Sequence, residues 1–153
     1  MDERWVNRSP EVMLETFHWF RGEGFARIVE DLLGMPREPR VIAEAFRLLP
    51  RLVRPLLAGP GGPRGPGGPG GAVWLIPAPG FRRAAFESRG SLGQIAGRTS
   101  NPERALRNLL ERDGLFTERL HAEAVRLGLP VTDVDTPLSE GGLARTVATV
   151  LGL

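Results

Sequence analysis

Seven arginines (82, 83, 89, 98, 104, 107 and 112) stand against three glutamates (87, 103 and 111) between positions 82 and 112, a local charge of +4. A guanidinium is planar, stays ionised and offers paired N–H donors that match a carboxylate or phosphate, so such a cluster suits anion binding. The plainer role is a solvated helix face laced with ion pairs, and Glu103 and Arg107 are spaced i, i+4 for one. Arg104 and Arg107 suit that role. Arg83, Arg89 and Arg98 suit either. Glu44 closes the apolar run VIAEA and is a carboxylate for Arg47 or for water. Asp133 and Asp135 alternate along VTDVDT and so share one side of an extended segment. Asp135, just before Pro137, also suits a turn. His18 and His121 are far apart with no partners at ligand spacing, so no metal site is expected.

Composition removes several chemistries. All 20 basic residues are arginine, so no mechanism that needs a lysine ammonium group is open to these 153 residues. With no cysteine there is no thiolate and no disulfide. No Ser/His/Asp arrangement stands out. The 18 acidic residues leave a net charge of only +2, and they are interspersed with the arginines. That argues against specific nucleic-acid binding, which needs a concentrated basic face. No apolar run approaches the ~18 residues of a membrane span, and MDERWVNRSP lacks the apolar core of a signal peptide. A cytoplasmic location is the default expectation.

The elements that must position these residues are short. Ser9-Pro10 starts a helix, with Met13, Phe17 and Phe20 on one stripe. Gly22 and Gly24 interrupt it before Phe25, Ile28, Val29 and Leu32 form a second stripe ending at Gly34. RVIAEA (40–45), AVWLIP (72–77) and LPVTDVDT (129–136) have the length and content of buried strands. FRLLPRLVRPLL reads as a helix broken by Pro50 and Pro55. Asn101-Pro102 opens the strongest helix, which Gly114 ends or relaxes; Trp5, Trp19 and Trp74 read as packing residues rather than stacking platforms. Ser139 caps the last helix. Three strands separated by helices predict a single α/β domain over 1–153, a three-layer parallel sheet flanked by helices.

The order of these segments resembles the P-loop small-molecule kinases, the gluconate and shikimate kinase-like groups. The residues that carry the likeness are VIAEAF, AVWLIPAPGFRRAAFESR, RTSNPERALRNLLERD and the closing GLPVTDVDTPLSEGGLARTVATVLGL. The resemblance implies phosphotransfer from ATP to a small hydroxylated metabolite. It implies Glu44 as general base or metal-water ligand, and a lid-like arginine-rich region over 82–112. It further implies Arg83, Arg89, Arg98 and Arg104 as phosphate or nucleotide ligands, with Asp135 beside the nucleotide. The chain departs from the family at its central feature: G-x-x-x-x-G-K-[ST] is absent, and no lysine is present to neutralise a phosphate. The expectation is therefore a chain inactive as it stands, which takes ATP and Mg²⁺ only if a segment with that loop is supplied. The alternative is a non-catalytic domain that binds an anion or a partner through its arginines. A sheet lacking its central strand would also favour self-association through exposed edges.

Residues 59–71, GPGGPRGPGGPGG, do not replace the missing loop. A phosphate cradle needs backbone N–H groups that lead into a helix, whereas four prolines here lack them and the run leads into AVWLIP. A flexible surface insertion is expected.

Overall fold

The computed structural model describes residues 1–36, 38, 41–58, 71–88, 90, 94–135 and 138–153; the expected insertion at 59–71 lies, save Gly71, outside them. Three helix starts are written locally. Ser9 Oγ accepts from the Val12 N–H (3.3 Å), Asn101 Oδ1 from the Arg104 N–H (3.0 Å) and Ser139 Oγ from the Gly142 N–H (3.1 Å). Each satisfies a first-turn donor that has no partner within its helix. In chain order, α1 (Asp2–Trp5) and α2 (Pro10–Thr16) lead through a 3₁₀ turn (His18–Arg21) to α3 (Phe25–Leu33) and α4 (Pro50–Ala58). Then come β1 (Trp74–Pro77), α5 (Pro79–Ser88), a second 3₁₀ turn (Ala96–Arg98) and α6 (Pro102–Arg126). The chain closes with β2 (Val131–Val134) and α7 (Glu140–Leu151).

The long helix α6 is the spine, because its apolar stripe serves two separate cores. Its first half buries Ala105 and Leu109 with Trp5, Val6, Met13 and Ala96. Its second half buries Ala124 with Trp74, Ile76 and Leu129. Each large side chain removed from water there contributes about 1.5–3 kcal/mol. Gly114 does not end the helix. It is buried, and a Cβ at that position would meet Arg82 Nη2 at 3.2 Å, so the absent side chain makes room for the guanidinium.

The architecture corrects the three-layer parallel sheet. Among the described residues the molecule is mostly helical, with two strands only; β1 and β2 pair in parallel, Trp74 opposite Val131 through Pro77 opposite Val134. Their crossover is α5 and α6, long enough for parallel pairing. The expected strand at 40–45 is not formed over its described residues, 41–45, which are irregular, with Val41 52% and Ile42 68% exposed. The cause lies in the anchors at Phe46, Leu48 and Leu49. Phe46 packs with Trp19 and Phe20 at centroid distances of 5.9 and 5.8 Å. Leu49 is buried, and the Leu48 carbonyl accepts from Trp74 Nε1 at 3.1 Å. These contacts hold the segment beside the helices, and Ala43, Glu44 and Ala45 have too little β-propensity to oppose them. Residues 46–49 are not helical and α4 opens at Pro50, so the expected interruption falls there, whereas Pro55 lies inside α4 and the helix runs on past it.

Candidate anion-binding cleft

The cleft is built where α1, α2 and the first 3₁₀ turn meet the middle of α6. Asn108 does the positioning. Buried on α6, it donates from Nδ2 to the carbonyls of Trp5 (3.1 Å), Val6 (3.3 Å) and Arg8 (3.4 Å). Three carbonyls at the α1–α2 connection are thereby tied to one amide, which sets the segment that carries Arg4 and Arg8. A second tie holds the start of α1. The Ser100 N–H donates to Asp2 Oδ1 at 2.9 Å. The Ser100 hydroxyl and this N–H hold the Asp2 carboxyl below the ordinary aspartate range.

One turn after Asn108 on α6, Arg112 enters an aromatic cage. Its guanidinium carbon lies 5.4 Å from the Trp5 ring, 5.4 Å from Phe17 and 5.2 Å from Phe20. Phe20 in turn stacks on Phe116 at 4.0 Å. Arg112 Nε and Nη2 donate to Asp113 Oδ1 at 3.1 and 2.6 Å, so the buried charge has its counter-ion. A cation in such a cage gains from the ring quadrupoles and from the paired carboxylate together.

In front of the cage opens a cleft of about 350 Å³. Its charged lining is Arg4, Arg8, Arg112 and Glu23, with His18 beside them. Trp5, Phe17 and Trp19 supply the apolar wall, over Met13 and Thr16 of α2. Arg112 is committed to Asp113, and Arg8 reaches Glu3 only at 4.0 Å. Arg4 has no acidic partner among the described residues; it lies over Trp5 and Phe17 at 4.8 and 5.7 Å. Aromatic faces fix a guanidinium's plane and leave its N–H edge free, an arrangement that suits a carboxylate or phosphate.

The residues named from sequence lie elsewhere. Glu44 is exposed in the irregular segment and does not pair with Arg47, whose guanidinium lies over Trp19 at 4.9 Å. Arg83 is an exposed α5 residue paired with Glu87 at 3.1 Å, the ordinary i, i+4 surface bridge. Arg98 sits in the second 3₁₀ turn and Arg104 in the first turn of α6, both exposed. Asp135 is exposed just after β2, and its carbonyl accepts from the Leu138 N–H at 3.0 Å. Arg89 lies outside the described residues. Glu44, Arg83, Arg98 and Arg104 stand on four separate segments, no hydrogen bond or ion pair among the described residues joins them to one another, and no step for ATP and Mg²⁺ is derived through them. Of the described arginines from 82 to 112, Arg112 is the one that lines this cleft. Sequence reasoning missed Asn108, although a signal was visible: two polar residues, 108 and 112, stand four apart within an apolar helix face.

Among the described residues no group of three or more His, Asp or Glu side chains could hold a metal ion, and no helix is long and apolar enough to cross a membrane. Comparison of the chain with protein-family models, with curated proteins and with solved structures gave no match in any of the three.

Proposed function

We propose that this chain is a non-catalytic binding protein for a small anionic ligand, held in the cleft by Arg4 and Arg8. The observation that carries the reading is the Arg4 guanidinium, stacked on two aromatic rings, lining a cleft and lacking an acidic partner among the described residues. Arg4 is exposed, so its N–H donors face water and are open to an anionic ligand. Arg8, bound only at 4.0 Å to an exposed Glu3, is the second donor. The Arg112–Asp113 pair is the rigid floor rather than a ligand-binding cation.

The test is a thermal-shift titration with inorganic phosphate and with acetate, against chloride at equal ionic strength. Ligand at a hundred times its dissociation constant stabilises by about 2.7 kcal/mol, roughly 5–11 °C for a chain of this size. The rise should saturate, and it should be lost in the Arg4→Gln/Arg8→Gln double variant. An absent shift for both anions, or an equal shift in the double variant, refutes the reading.

A further inference from the structure

We infer, resting on that anion-binding reading, that the ligand is a single-ring aromatic acid bearing one carboxylate. Size comes first. At about 350 Å³ the cleft is at the small end of ligand pockets, which span about 300–1,000 Å³. That volume admits one ring and one acid group. Charge comes second. Arg4 and Arg8 supply two cations, Glu23 on the same lining offsets one, and Arg112 is neutralised by Asp113, which leaves one positive charge for the ligand. A monoanion matches it.

The aromatic wall supplies the third constraint. Trp19 lines the cleft yet stays 45% exposed, an unusual state for an indole that packs against its neighbours. Those neighbours hold it in place: Arg47 lies over its ring at 4.9 Å, and Phe17 and Phe46 pack at 5.5 and 5.9 Å in tilted geometry. The ring therefore loses little freedom when a planar partner stacks on it, so most of the stacking gain appears as affinity. A saturated acid of equal size would fill the cleft but gain no ring–ring term.

The experiment is a ¹H–¹⁵N titration that follows the indole N–H signals of the three tryptophans, using benzoate, cyclohexanecarboxylate and inorganic phosphate. Benzoate should move the Trp19 and Trp5 signals and leave Trp74 still, because Trp74 Nε1 donates to Leu48 in the other core. Benzoate should bind roughly three- to tenfold tighter than cyclohexanecarboxylate, the range expected for one aromatic pair. Trp19→Ala should erase that ratio, and Arg4→Gln should weaken both acids. Equal binding of the two acids to the unaltered protein overturns the aromatic ligand and leaves the anion reading standing. A shift confined to Trp74 overturns the assignment of the cleft. No movement with any of the three compounds overturns the anion reading as well.

Discussion

Replacing Arg112 by methionine removes the cation from its cage and nearly keeps the volume. Arg112 and Asp113 side chains are 9% and 19% exposed, so the surviving carboxylate would be left largely out of water with no counter-ion. Breaking one partner of a buried pair costs about 3–5 kcal/mol, and the residual exposure of Asp113 puts this one at the lower end. Loss of three ring contacts at 5.2–5.4 Å adds to the cost, while the methionine thioether, a good partner for aromatic rings, offsets part of it. About 3 kcal/mol is expected for Arg112→Met, a fall in Tm of about 6–12 °C. Adding Asp113→Asn removes the stranded charge, so the double variant should be more stable than the single one by about 1–2 kcal/mol. Urea denaturation followed by tryptophan fluorescence measures all three proteins, with the slope m checked for constancy. A single variant within about 1 kcal/mol of the parent, or a double variant less stable than the single one, would refute the cage as a stabilising element.

Asn108→Ala withdraws the two amide N–H groups that serve three carbonyls, and should cost about 2–3 kcal/mol; it should also weaken anion binding, because Arg8 loses its tether, as calorimetric titration with phosphate will read. Gly22 has φ of +90°, and a Cβ there would collide with Leu52 and press on Leu49. Gly22→Ala should therefore cost about 1–3 kcal/mol in thermal unfolding, whereas the same change at Gly97, with open space around it, should be far milder. Asp2 is held below its ordinary value by Ser100. Its contribution is fully present above the ordinary aspartate pKa of about 3.9 and is lost as pH falls through the lower folded-state value. The stability gap between parent and Asp2→Asn should thus be open at about pH 7 and close below about pH 4, measured by urea midpoints across roughly pH 2–7.

Three strand-like runs separated by helices predicted a three-layer parallel sheet, and the sheet is where the expectation failed. AVWLIP and LPVTDVDT do contain the two strands, since each apolar run finds the other in parallel register. VIAEA has a similar local pattern and forms none. A strand exists only when a neighbour takes its hydrogen bonds, and no window of five residues contains that neighbour. The cleft was less legible still. Its cations, Arg4 and Arg8, come from the first eight residues, and the cage and tether that place them come from Arg112 and Asn108, about a hundred positions away.

Interactions that close within a few residues were decided by residue type and spacing. Ser9, Asn101 and Ser139 cap helices because a side-chain oxygen reaches an N–H three residues on. The total reliance on arginine for positive charge, and the lack of thiol chemistry, likewise needed no fold. Tertiary structure decided which arginine carries a task. Twenty guanidiniums are chemically alike, and only packing separates Arg83, paired on an exposed helix, from Arg112, enclosed by three rings, and Arg4, stacked at the mouth of a cleft. The reason is dielectric as much as geometric: the same charge is nearly neutral in effect at the surface and is strongly coupled to its surroundings once water is excluded.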